Sequence, residues 1–187
     1  MREAFKMTLT LLVIGIICGA LLSTANGITL PVIEERLERQ FIEALEGFFP
    51  DVAEFEVKEV EKEEFYLCKN EAGQFLGVVG KVKAKGYAGE ISYDLAVNAA
   101  GNIIGIRIVS HEETAGIGDV IEKPDFQDRF LGLNYSDPIV AGEDVDIISG
   151  ATFSTGGMIS SIRRVMDIIN EYFLDGDLDT VLEVKED

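Results

Sequence analysis

Two short runs in this chain carry residue types whose spacing could do chemistry. The first is Asp146-Ile147-Ile148-Ser149-Gly150-Ala151-Thr152, which leads from a short apolar stretch into a long helical pattern. It sets the Thr152 hydroxyl where that helix should begin. A hydroxyl there can cap the helix by accepting a hydrogen bond from one of its first free N–H groups. It can also carry a phosphoryl group, because a helix N-terminus offers free amides and partial positive charge to an anion. Gly150 and Ala151 keep such an approach uncrowded, and Ser149 and Ser154 add hydroxyls that can hydrogen-bond it. The second run is His111-Glu112-Glu113-Thr114-Ala115-Gly116-Ile117-Gly118, a polar loop with two glycines and the chain's one histidine.

The elements that must position these runs follow from periodicity. Phe55–Val60, Phe65–Cys68, Phe75–Lys85, Ile91–Val97 and Ile103–Val109 read as strands. Asn98–Asn102 between the last two signals an antiparallel hairpin. Pro124–Phe130 is expected to be a short helix with proline in its first turn, and Val145–Ile148 a final short apolar run. The last helix should run from near Thr152 to about Phe173, burying a stripe of Met158, Ile162, Val165, Ile169 and Phe173. Further back, Ile33, Leu37, Phe41, Leu45 and Phe48 predict an amphipathic helix that starts near Pro31 and ends before Pro50. The expected fold is one α+β domain, an antiparallel sheet with helices packed against it.

No residue from Met7 to Ala25 is charged, and Arg2 and Lys6 precede that block. As a helix it would reach roughly 28 Å, close to the hydrocarbon thickness of a bilayer. The positive-inside rule then puts the N-terminus in the cytoplasm and the remainder on the outer face. Ser23-Thr24-Ala25 resembles a signal cleavage site, but the apolar run exceeds a signal core, which favours a retained anchor. The expected organisation is an anchor and linker over 1–29, a domain over 30–175 and an acidic tail over 176–187. Ala25–Thr29 reads as the linker.

The net charge of −18 argues against nucleic acid as a partner. Cys18 falls in the apolar block and Cys68 in a strand, so no disulfide is expected. No Cys/His cluster has metal-site spacing. Arg163 and Arg164 read as a solvated helix face.

The first run resembles the Asp-x-x-Ser-Gly-Ala-Thr signature of proteins that carry FMN on threonine through a phosphoester. The second resembles the His-x-Glu-Thr-Pro-Gly-Leu-Gly loop of the FMN-binding domains of two ion-pumping complexes. These are the Rnf ferredoxin:NAD oxidoreductase, through its G subunit, and the sodium-translocating NADH:quinone reductase, through its C subunit. Gly86-Tyr87-Ala88-Gly89 before an apolar strand, the single anchor and the order of the motifs are similar to the same families. The short chain fits the Rnf G subunit better. Ala115 replaces the usual proline, which loosens the loop, and Ile117 replaces leucine.

The resemblance implies covalent FMN on Thr152, attached by an FAD:protein FMN transferase that reads Asp146. Ser149, Gly150 and Ala151 would surround the phosphate. Gly116 and Gly118 would let the backbone approach the flat ring, and Glu113 and Thr114 would hydrogen-bond the flavin or ribityl chain. His111 has two open readings: beside the flavin, affecting its protonation, or bonding the loop backbone at the strand end. The implied function is electron transfer within a membrane complex of several subunits that moves sodium ions or protons. The alternatives are the quinone-reductase C subunit, or a non-redox binding module in which Thr152 merely caps its helix.

Overall fold

The computed structural model describes residues 2–174; the expected acidic tail lies outside them. The chain divides after Ala44 into two units. The first consists of most of α1 (Arg2–Phe48). At 1.5 Å per residue that helix is about 70 Å long, and it is apolar and long enough to cross a membrane. The linker expected over Ala25–Thr29 is instead helical, and Pro31 sits inside α1 rather than at the start of a new helix. One proline removes one N–H donor and leaves the remaining ladder intact, while helix propagation is cooperative across it. Thr24 and Thr29 donate their hydroxyls back to the carbonyls of Ala20 and Ala25, both at 2.8 Å, so neither side chain competes for a turn.

The second unit, from Leu45 onward, is built on a five-stranded antiparallel meander in the order β1-β2-β3-β4-β5. Its strands are β1 (Glu54–Val60), β2 (Glu63–Lys69), β3 (Phe75–Lys85), β4 (Glu90–Asn98) and β5 (Ile103–Ser110). The β4–β5 turn forms because Asn98 Oδ1 accepts from the N–H groups of Ala100 and Asn102, each at 3.0 Å. α2 (Pro124–Gln127) opens on its proline and continues into a 3-10 turn, Asp128–Phe130. α3 (Thr152–Ile169) runs on into a wider turn through Leu174. No strand forms over Val145–Ile148; Val145 makes only an isolated bridge to Ala141.

The stripe expected on α3 is buried throughout and packs with Phe65, Val78, Val82, Tyr93 and Leu95 of the sheet. The Tyr93 hydroxyl donates to Ser161 Oγ (2.8 Å), which donates to the Lys83 carbonyl (3.1 Å). Burial pushes the Tyr93 phenol well above its usual range. Arg163 and Arg164 are not merely solvated. Arg163 donates to the Tyr135 carbonyl at 3.1 Å and pairs with Asp167, and Arg164 pairs with Glu63 at 2.6 Å. The opposite sheet face carries Glu64, Lys81, Asp94 and Arg107 in direct cross-strand register. Arg107 Nε donates to the buried Asp94 at 2.8 Å.

Candidate functional site

α3 begins without a cap. Its N-cap position is Ala151, which has no side-chain hydrogen bond to give, and Thr152 is the first helical residue. The Thr155 N–H already reaches the Ala151 carbonyl at 2.9 Å. The N–H groups of Thr152, Phe153 and Ser154 have no such intrahelical carbonyl. Four hydroxyls cluster here, and their environments separate them. Thr155 is buried and donates to the Ala151 carbonyl (2.9 Å). Ser154 is buried and donates to Glu113. Ser149 is exposed in the preceding loop. Thr152 is exposed, and its hydroxyl makes no hydrogen bond to another described residue. It is not the helix cap that its residue type would suggest.

Thr152 opens onto a cleft of about 360 Å³ lined by Tyr87, Glu113, Thr114, Ile117, Gly118 and residues 150–154. That volume lies in the range of small-molecule sites. Both sequence runs and the 86–89 turn therefore meet at one place. Gly150 holds a φ of +88° on the way into the helix, a conformation that suits glycine. Thr114 turns its carbonyl to the N–H groups of Ile117 (3.1 Å) and Gly118 (2.9 Å), closing the loop, while its exposed side chain faces the cleft.

Glu113 sits at the junction. Its carboxylate accepts from Ser154 and from the Ala88 N–H at 3.1 Å. A Cβ added to Gly86 would lie 2.1 Å from Oε1, and one added to Gly118 would lie 2.4 Å from Oε2. The missing side chain at Gly118 thus makes room for Glu113. Gly116 has open space around it and a φ of +79°, so its role is to turn the loop. Burial works to raise the Glu113 pKa, but the hydrogen bonds from Ser154 and from the amides of Ala88, Tyr87 and Gly89 outweigh it and hold the carboxyl below its ordinary value.

His111 points elsewhere. Its Nδ1 accepts from the Glu113 N–H at 3.1 Å, and Nε2 lies 3.0 Å from Glu122. The first contact bonds the loop backbone, and His111 is not among the residues that line the cleft. Asp146 is exposed outside the cleft lining, and its carbonyl accepts from Arg129 at 2.8 Å. Two lining aromatics escaped the sequence reading of the site. Tyr87 is 74% exposed and Phe153 73%. Their ring centroids are 5.9 Å apart at 48°.

Residues 86–167 match the FMN-binding domain family. Every residue of the α3 start, the 111–118 loop and the 86–89 turn falls within that matched segment. Along its length the chain is similar to curated proteins that share one name, the G subunit of an ion-translocating complex. It is 27% identical to the G subunit of the ion-translocating oxidoreductase complex of Methanosarcina acetivorans, over 90% of this chain and 96% of that one. It is 26% identical to the G subunit of the Na(+)-translocating ferredoxin:NAD(+) oxidoreductase complex of Acetobacterium woodii, over 89% and 92%. The corresponding G subunit of Cereibacter sphaeroides is 35% identical over 54% of this chain and 50% of that one. Among solved structures, NqrC of Shewanella oneidensis aligns with 20% identity and a TM-score of 0.47, over 64% of this chain and 67% of that one. The resemblance read from the motifs is borne out: the chain's relatives are subunits of redox-driven ion-translocating complexes.

Proposed function

We propose that this chain is the electron-transfer subunit of a membrane ion-translocating ferredoxin:NAD oxidoreductase complex, carrying FMN as a phosphoester on Thr152. The carrying observation is the start of α3, an uncapped helix N-terminus whose one uncommitted, cleft-facing hydroxyl is Thr152. The residues present fit the group. Free amides of residues 152–154 compensate a phosphodiester. The space beside Thr152 is edged by apolar and aromatic side chains suited to a flat ring. When bound, FMN supplies one- and two-electron redox chemistry that no side chain here can.

The chain's own part is acceptor, cradle and anchor. The Thr152 oxygen attacks the flavin-side phosphorus of FAD, forming the Oγ1–P bond. The pyrophosphate P–O bond breaks, AMP leaves, and the hydroxyl proton passes to solvent. An FAD:protein FMN transferase is the partner for that step. Gly150 and Ala151 leave the approach open, and Thr114 offers a hydroxyl at the cleft wall. Asp146 and Ser149, outside the lining, are available for the transferase to read, and His111 keeps the loop in shape. α1 anchors the chain once through the bilayer, with Arg2 and Lys6 in the cytoplasm and the FMN-binding segment outside, beside the other subunits of the complex. The reading of Thr152 as a mere cap loses its support, because the cap position is Ala151.

Co-expression of wild type and Thr152→Ala with a flavin transferase tests this. Flavin fluorescence on a denaturing gel is expected for wild type and absent for the variant, with peptide mass spectrometry finding FMN on residue 152. A dark wild-type band, with the transferase active on a control substrate, overturns the covalent reading.

A further inference from the structure

Glu113 is buried to 8% exposure beside a solvent-open cleft, and each of its carboxylate oxygens accepts from a protein donor. Its partners come from far along the chain: Ala88 is 25 residues away and Ser154 is 41. Gly86 and Gly118 lack side chains where a Cβ would collide with its two oxygens. Glu113 joins the start of α3 to the 86–89 turn.

That turn carries Tyr87. The Tyr87 and Phe153 rings are each about three-quarters exposed at the edge of the cleft and touch only at a tilt. Two large rings held in water at a cleft mouth forgo the burial that usually stabilises aromatics. Phe153 lies off the buried stripe of α3. Phe153 is fixed by its place in the first turn of α3, and Tyr87 lies on the 86–89 turn, which the Gly86 N–H closes onto the Gly89 carbonyl at 2.8 Å. Glu113 adds a tie from outside the turn, accepting from the Ala88 N–H beside Tyr87 at 3.1 Å.

We propose that Glu113 is a positioning residue that holds Tyr87 over the cleft, so that the flavin ring tethered at Thr152 packs against Tyr87 and Phe153. This rests on the FMN reading above. Glu113→Gln keeps the volume but sets an NH2 group against either the turn amides or Ser154. Against Ser154 the hydroxyl oxygen can accept in its place, so the junction keeps only neutral hydrogen bonds where it had charge-assisted ones and holds more weakly.

The test uses the full chain co-expressed with the flavin transferase, as wild type, Tyr87→Ala, Glu113→Gln and the double variant. The acceptor is intact in all four, so each is expected to show equal flavin fluorescence on a denaturing gel. In the native proteins a tyrosine against the ring quenches flavin emission. Tyr87→Ala is therefore expected to be several-fold brighter than wild type, and Glu113→Gln brighter in the same direction. The double variant should be no brighter than Tyr87→Ala alone. Visible circular dichroism of the flavin should follow the same order. Wild-type emission and dichroism in Glu113→Gln would overturn the proposal, and so would effects of the two substitutions that add. A loss of thermal stability alone leaves both signals in place and does not imitate the expected result. Should Glu113→Gln fail to fold, Ser154→Ala takes its place in the same cycle, breaking the other end of the junction. A wild-type chain without covalent flavin overturns the attachment reading and this proposal together. A loaded wild type with an unchanged Glu113→Gln overturns only the proposal.

Discussion

Gly156 and Gly157 are neighbours in α3, and the structure gives them opposite tasks. A Cβ on Gly156 would meet nothing within 4 Å. Alanine there removes the backbone entropy that glycine loses in a helix, so Gly156→Ala should stabilise by about 0.5–1 kcal/mol. A Cβ on Gly157 would lie 2.0 Å from the Lys85 carbonyl oxygen and 3.1 Å from its carbon. That contact is backbone against backbone, so no side chain can turn aside. α3 must lift from β3 by about an ångström, loosening the Ser161 bond to Lys83. Overpacking of this kind costs about 1–3 kcal/mol. The propensity gain is common to both substitutions and cancels in their difference. Gly157→Ala should therefore fall about 1–3 kcal/mol below Gly156→Ala, or several degrees in Tm for a domain of this size. Urea unfolding of the detergent-solubilised chain, followed by near-ultraviolet circular dichroism, measures both on one scale. Two variants within about 0.5 kcal/mol of each other, or a destabilising Gly156→Ala, would refute the packing argument.

Glu113→Gln should cost about 1–3 kcal/mol at neutral pH, because buried donors lose a charged acceptor. The Glu113 pKa is depressed on folding, so its contribution is present above the ordinary glutamate value of 4.5 and lost as pH falls through the folded value. The gap between variant and wild type should close on acidification below that point, as read by urea titrations across pH. Arg107→Met leaves Asp94 charged and buried, costing about 3–5 kcal/mol at neutral pH. Burial already raises the Asp94 pKa, and losing the arginine raises it further, so the penalty should shrink as pH falls toward 4. Burial pushes the Cys68 thiol up to about 12, so alkylation at pH 8 should spare it until the domain unfolds, as mass spectrometry would show. Tyr93→Phe should cost about 1 kcal/mol by removing one buried hydrogen bond, measurable by the same urea titration.

The strands and α3 were legible because their apolar residues recur at periods that only one geometry satisfies. The α3 stripe from Met158 to Phe173 is buried residue for residue. The continuous α1 was not legible, since Pro31 and the small residues before it read as a break, and local signals do not register how cooperative a long helix is. At the site, the motifs singled out the Thr152 hydroxyl but did not show why it makes no hydrogen bond to another described residue. That depends on Ala151 occupying the cap and on Glu113 taking Ser154, relations set by the tertiary fold. Tyr87 was noticed only as part of a turn. Phe153 had a usable signal, a large aromatic in the first turn of a helix and off its buried stripe.

The junction at Glu113 also has a meaning in time. It closes loops of 25 and 41 residues, and such closures are slow relative to local turns and hairpins. The surroundings of Thr152 thus assemble after the local hairpins of the sheet, although the run that contains it is continuous in sequence. A transferase that requires α3 docked on the sheet would modify only chains whose domain has come together. The flavin would then serve as a lasting record that the domain was complete when it was loaded.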